Sequence, residues 1–326
     1  MKKRATASIA AATALAGGVA AAWAYTEAIM SITSARSSPI QKLVFKKKEI
    51  SPAQSIRNRA SKKLQQQPME DVTIRNRDGL TLHGHWYPCD KPRRILVMAH
   101  GWRSSWCRDF GTVAPFLHKS GCSLLLIEQR SHGQSEGEYI SYGILERFDV
   151  ADWLAYIIEK HPDLPVYLMG MSMGAATVLM AAGLEGTERL SGIIADCAYS
   201  VPYEIVERTI SRKIKRPAPH TTRVVNHLCH RRGKFRLSDY TVLEAMEQNE
   251  TVPVLFIHGD ADTFVPCEMT MKNYLACRAP KDILIVPDAE HSLSYVTDHK
   301  AYEKKLSEFW ERYDERLLQD EKANKK

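Results

Sequence analysis

No two of the seven cysteines in this 326-residue chain stand in a C-x-x-C spacing, and their number is odd. Parity excludes a complete disulfide framework, so free thiols are the expectation. Cys122 opens an apolar run and Cys197 closes one, as small buried residues often do. Glycine-rich loops that cradle nucleotides are missing, as are internal repeats. Neither a cofactor nor a metal is implied.

A basic surplus in the body of the chain is also missing. The formal net charge is +7, which taken alone suggests a polyanionic partner. Residues 2–63 hold twelve Lys/Arg against two Glu, which leaves −3 for residues 64–326. The basic excess therefore belongs to an N-terminal extension. That argues against a nucleic-acid enzyme and for a membrane-proximal segment. An apolar fraction of 44% and a charged fraction of 25% are those of an ordinary globular protein.

What the extension does contain is Lys2-Lys3-Arg4 followed by an uncharged stretch, residues 5–26. It is just long enough to cross a bilayer as a helix, although it is mostly alanine. Trp23 and Tyr25 stand where interfacial aromatics anchor the far end. Residues 1–33 are expected to be a membrane anchor or signal segment. Ala20-Ala21-Ala22 and Ala22-Trp23-Ala24 offer small-x-small cleavage sites, and a plain amphipathic helix is the third reading. A short basic N-terminus before a first span usually stays inside, which places the catalytic domain on the extracytoplasmic side. Residues 34–70 read as a basic juxtamembrane linker, lying on anionic headgroups or solvated.

From residue 71 the pattern changes. Two alternating runs, 72–77 and 80–87, flank Asp78-Gly79, a strong hairpin signal. Short continuous apolar runs follow at 95–99, 122–127, 166–169, 192–195, 252–257 and 283–286. Such runs suit strands buried on both faces of a parallel sheet. Helical spacing marks 146–159, with Phe148, Val150, Trp153, Leu154 and Ile157. The expected fold class is α/β, a mostly parallel sheet with helices on both faces, whose active site forms at the carboxyl ends of the strands.

At one such end stands Gly170-Met171-Ser172-Met173-Gly174, followed by the Ala-rich run 175–180. This is G-x-S-x-G in a strand–turn–helix context, the setting of a nucleophile elbow. A serine hydroxyl needs a base, and the base needs a group to hold it. After the run 252–257 comes His258-Gly259-Asp260-Ala261-Asp262, and after 283–286 come Glu290-His291. His291 is the expected base. Spacing alone does not choose the acid between Asp260 and Asp262. Glu290 adjoins His291 too closely in sequence to face it, and Asp196 stands at the end of the preceding strand.

Residues 71–310 resemble the α/β hydrolases, in particular bacterial esterases and lipase-like enzymes related to dienelactone hydrolases and prolyl oligopeptidases. The matching pieces are His100-Gly101-Trp102, Gln129-Arg130-Ser131-His132-Gly133-Gln134-Ser135, Gly170–Gly174, the H-G-x-x-D-x-x-V-P element at 258–266, and Glu290-His291. The resemblance implies a Ser172, Asp262, His291 triad, with Asp262 at the D of that element. It also implies oxyanion donors in the backbone N–H groups of Trp102 and Met173, with His100 orienting the loop. One departure is Glu128 before Gln129-Arg130, where the family usually has Asp; that acid is structural in most members, so the change bears on packing.

The insertion at about 199–250 is expected to form a small helical cap, as in the family. It carries Arg212-Lys213-Ile214-Lys215-Arg216, Arg223 and 230–236, either a solvated surface or a surface for acidic substrate or anionic lipid. His227, Cys229 and His230 lack a fourth ligand at metal spacing. The expected activity is carboxylester hydrolysis on a small-molecule ester or amide. A peptidase or acyltransferase of the same fold and a non-enzymatic binding member are the rivals; the last would normally have lost Ser172 or His291.

Overall fold

In a computed structural model, which describes residues 33–34 and 51–314, the apolar runs are strands of one eight-stranded sheet. β1 (Glu70–Arg75) and β2 (Thr81–Tyr87) form the hairpin, with Gly79 at φ 78° in its turn. The parallel part comprises β3 (Arg94–Ala99), β4 (Cys122–Ile127), β5 (Val166–Met171), β6 (Leu190–Asp196), β7 (Val254–Gly259) and β8 (Lys281–Val286). The order across the sheet is β1-β2-β4-β3-β5-β6-β7-β8, with only the β1/β2 and β2/β4 pairs antiparallel. The fold is that of the α/β hydrolases.

Strand side chains alternate between two cores because successive residues point to opposite faces. Ile95, Val97 and Ala99 enter one cluster, with Leu125 and Ile127; Leu96 and Met98 enter the other, with Leu124 and Leu126. The first face is covered by α4 (Glu146–Lys160) and α5 (Met173–Ala181), which send Trp153, Ile157, Val178 and Leu179 into it. The second is covered by α2 (Trp106–Phe110), α3 (Ala114–Lys119) and α11 (His299–Tyr313). Each fully buried aliphatic or aromatic side chain contributes about 1.5–3 kcal/mol, so β3 to β7, buried along their lengths, dominate the stability.

The reading of 34–70 as a linker is corrected over residues 52–65. There the chain forms α1 (Pro52–Gln65), capped by Ser51, whose Oγ accepts from the Gln54 N–H at 3.2 Å. The helix is polar on most of its surface, so periodicity does not reveal it. It is held by Leu64, buried in the second core, and by Arg57, which pairs with buried Asp109 at 3.3 Å. The anchor or signal segment expected at 1–33 lies outside the described residues apart from Thr33. Among the described residues no helix is long and apolar enough to cross a membrane.

Between β6 and β7 the chain forms α6 (Pro202–Ile214), α7 (Pro219–Leu228), a π-turn at Cys229–Gly233 and α8 (Val242–Gln248). Ile205, Val206, Val225, Phe235 and Leu237 tie this insertion to the first core. α9 (Cys267–Ala276), the short α10 (Ser294–Thr297) and a 3₁₀ turn at Thr187–Arg189 are the remaining helical elements of the described residues from 51 on. All seven cysteines are free thiols.

The closest backbone approach in the fold sits at the β5–α5 junction. A Cβ on Gly174 would lie 1.9 Å from the Ala99 carbonyl oxygen, a backbone atom of β3 that cannot step aside. Gly174→Ala is therefore expected to destabilise by about 3 kcal/mol or more, since overpacking against backbone cannot relax. A thermal midpoint within 2–3 °C of wild type, roughly the shift of 1 kcal/mol at this size, would sink this expectation.

Candidate active site

Ser172 joins β5 to α5 at φ 55° and ψ −113°, a backbone conformation that side-chain-bearing residues rarely adopt. Its N–H donates to the Asp196 carbonyl at 2.8 Å, which locks the turn to the end of β6. A Cβ on Gly170 would meet Gly174 backbone at 2.3 Å, so the turn is too tight for side chains at either glycine. The strain is stored where the chain lifts one hydroxyl above the strand ends.

The loop after β3 crosses beside this residue. A Cβ on Gly101 would sit 3.4 Å from that of Ser172. Asp109 holds the loop by accepting from the Gly101 N–H at 2.7 Å and the Ser104 hydroxyl at 2.5 Å, while Arg57 of α1 neutralises it from behind. Two buried histidines finish the scaffold. His100 Nδ1 donates to the Gly101 carbonyl and its Nε2 accepts from the Gln129 N–H. His132 Nδ1 donates to the Arg130 carbonyl, and its Nε2 accepts the Arg103 N–H at 3.1 Å. Burial pushes His132 down to about 3, helped by the nearby His100, and burial lowers His100 as well. Both rings are thus neutral acceptors near pH 7, as these bonds require. Met173 is the first residue of α5, so its N–H is among those with no acceptor inside the helix. Trp102 follows Gly101 on the crossing loop, and its ring stacks near Tyr142.

The acidic alternatives separate cleanly. Asp262, at the end of β7, has its Oδ2 2.6 Å from His291 Nδ1. Its Oδ1 accepts the N–H groups of Phe264 and Val265 at 2.8 and 2.9 Å. His258, fully buried, comes within 3.3 Å of Oδ2 while its Nε2 donates to the Val265 carbonyl. Asp260 is exposed and accepts the Asp288 N–H; Glu290 is exposed. Asp196 is buried, but its carboxylate accepts from the Ser294 and Tyr302 hydroxyls. Of the four, Asp262 alone is hydrogen-bonded to His291. In the sequence His258 is only the first letter of the H-G-x-x-D element and carries no signal of its own, whereas the fold turns it back onto the carboxylate four residues on.

Burial alone would raise the Asp262 carboxyl. Hydrogen bonds from His258 and His291, the charge of His291 and the Val265 N–H outweigh it and hold the group well below the usual carboxylate range. A depressed carboxyl stabilises the fold above its unfolded value, near 3.9, and that stabilisation is lost as pH falls below it. Asp262→Asn should thus cost about 2–3 kcal/mol near pH 7 and progressively less below about pH 4. Urea midpoints of both proteins at pH 7 and pH 3 test this; an unchanged difference would refute it. Asp196 behaves oppositely, as burial pushes it up to about 6 against lowering contributions from His258 and its two hydroxyl donors.

Cys197, buried just past β6, places its sulfur against Ser292 Oγ at 3.5 Å, and ligand-type atoms of Cys197, Asp262 and His291 lie within 4.8 Å of one another. Asp262 and His291 are already engaged with each other, so this cluster reads as packing around the dyad. His227 and His230 are exposed while Cys229 is buried. Glu128 is structural: its carboxylate accepts the Gln134 N–H and meets His85, and Gly133 packs directly on it.

Residues 90–232 match a family described as serine aminopeptidase S33. The chain is 30% identical over 227 residues to the uncharacterized protein YqkD of Bacillus subtilis, covering 69% of this chain and 73% of that one. It is 31% identical over 132 residues to monoglyceride lipase of Rattus norvegicus, covering 39% and 43%. Among solved structures, the esterase Pf2001 of Pyrococcus furiosus superposes with a TM-score of 0.63 at 21% identity, over 76% of this chain and 92% of that one.

Proposed function

Starting from a chain that belongs to the α/β-hydrolase superfamily, we propose that it is a serine carboxylesterase acting through Ser172, His291 and Asp262. The observation that carries the reading is the 2.6 Å Asp262–His291 hydrogen bond at the same sheet end as the strained Ser172 turn. His291 Nε2 takes the Ser172 proton as the oxygen attacks an ester carbonyl, and Asp262 keeps Nδ1–H aimed and stabilises the imidazolium. The N–H groups of Trp102 and Met173 receive the oxyanion, where donors fixed before reaction are worth about 3–4 kcal/mol each. Return of the proton to the leaving alcohol gives an acyl-serine. His291 then activates a water, which releases the acid and restores Ser172.

A fluorophosphonate probe tests the reading directly, because it phosphonylates only an activated serine. Full-length protein should gain one adduct by intact mass, and Ser172→Ala should gain none. A folded wild type without an adduct would sink the proposal. The family match carries the word aminopeptidase, so an aminoacyl amide is the second substrate to try. Turnover of that amide above turnover of a short-chain ester would replace the esterase reading with a peptidase one.

A further inference from the structure

The insertion over the site carries an uneven charge. Residues 208–238 contain ten Lys/Arg and no Asp/Glu, whereas the rest of the chain from residue 64 carries twenty-three against thirty-six. All ten cations are exposed: Arg208, Arg212, Lys213, Lys215, Arg216, Arg223, Arg231, Arg232, Lys234 and Arg236. They occupy α6, the turn after it, α7, the π-turn and the loop that follows it. A concentration of one sign in one exposed segment of a domain that is otherwise acidic produces a field that attracts an anionic surface.

Two exposed aliphatic residues lie inside this stretch. Ile214 is 44% exposed and flanked by Lys213 and Lys215-Arg216; Val224 is 45% exposed and follows Arg223. The one aromatic residue in 208–238, Phe235, is buried. Surfaces for single-stranded nucleic acid combine cations with exposed aromatic rings for base stacking, and that partner is disfavoured here; a duplex, held by phosphate contacts alone, is an arm of the test below. Cations interleaved with exposed aliphatics are the composition of a segment that lies in a lipid headgroup layer.

This face borders the site. Arg208 and Arg212 donate to the Thr263 carbonyl at 3.0 and 2.6 Å, one residue past Asp262, and Arg208 also reaches the Phe264 carbonyl. The Phe264 ring packs edge-on against His291 at 5.0 Å. Lys213 Nζ is 6.0 Å from the centre of the Trp102 ring. Ser34 meets the same rim, since its carbonyl accepts from Arg103 Nε at 2.8 Å and that guanidinium lies over Trp102. The cationic face and the end of the N-terminal extension therefore converge beside Trp102.

We propose that the 208–238 face docks on an anionic phospholipid bilayer, with Ile214 and Val224 in the headgroup boundary. Docking holds the mouth beside Trp102 and His291 against the membrane, so the ester it meets there is carried by a lipid. The second step rests on the hydrolase reading above; the docking does not.

The test uses full-length protein and flotation with vesicles of phosphatidylcholine alone or with about 30 mol% phosphatidylglycerol, in about 0.1 M salt. One variant combines Lys215→Gln, Arg216→Gln, Arg223→Gln and Arg231→Gln; a second combines Ile214→Ser and Val224→Ser. The N-terminal extension is common to all three proteins, and partition is compared at a lipid concentration that leaves wild type about half bound, where a shared contribution does not mask the difference. Wild type should partition onto anionic vesicles, with the charge variant about 1000-fold weaker and the serine variant about tenfold weaker. Hydrolysis of a water-soluble short-chain ester should be unchanged in both variants. Equal partition of wild type and charge variant would overturn the proposal, as would capture of wild type by duplex DNA in preference to anionic vesicles. If flotation follows expectation while wild type leaves the ester uncleaved, docking stands and the hydrolase reading falls.

Discussion

Ser172→Ala should lower kcat/KM for a short-chain aryl ester by about 10⁴-fold or more, the range in which nucleophile loss falls in serine hydrolases. The effect belongs in kcat, since Ser172 contributes its oxygen to the reaction rather than to substrate capture. The scaffold does not depend on the hydroxyl: the turn is held by the Ser172 N–H on the Asp196 carbonyl and by the close approach of Gly174 to β3. Alanine inherits the φ of 55° with its strain, so the thermal midpoint should barely move. Glycine does not, and Ser172→Gly should be as inactive yet more stable by about 1 kcal/mol, because the strain at such a position is of that order. Residual turnover within tenfold of wild type would mean that another group is the nucleophile. A stability loss shared by both variants would mean that the hydroxyl is structural.

Asp262→Asn should lower kcat by about 10³–10⁴-fold with little change in KM, since an amide favours the wrong imidazole tautomer and cannot stabilise the imidazolium. Asp260→Asn should stay within about threefold of wild type, as expected of an exposed carboxylate outside the site. The contrast is informative because the two residues stand two apart in one turn. Asp262 is aimed at His291 by the Phe264 and Val265 N–H groups and by His258, whereas Asp260 caps the Asp288 N–H on the outside of the same loop. A larger loss at Asp260 than at Asp262 would reverse the assignment of the acid.

Most of the sheet was legible in the residues. Each continuous apolar run became a strand, because a strand covered on both faces needs apolar side chains at every position. Strand ends shift by at most two residues, chiefly where the ladder extends beyond the apolar run, as in β5 to Met171 and β7 to Gly259. The glycines of G-x-S-x-G were legible for the same kind of reason: the backbone approaches at Gly170 and Gly174 are properties of the local turn. By contrast, nothing local in residues 52–65 distinguishes α1 from a polar linker. Its attachment is a buried leucine, an ion pair spanning fifty-two residues of sequence, a Gln65–Cys107 contact and the close packing of Ala60 and Ser61 on Gly111, and no local period encodes partners that far away.

What the sequence determined by itself was therefore the α/β alternation, the strained serine turn and the shortlist of acids and histidines, because each follows from periodicity or from steric limits within a few residues. Spacing leaves the acid open and only the resemblance points to Asp262; tertiary structure alone brings that carboxylate to His291, returns His258 to it, and carries Arg57 and Asp109 to the loop beside Ser172. Those outcomes depend on which side chains the strand order and loop paths bring together, over separations where chain neighbours exert no force.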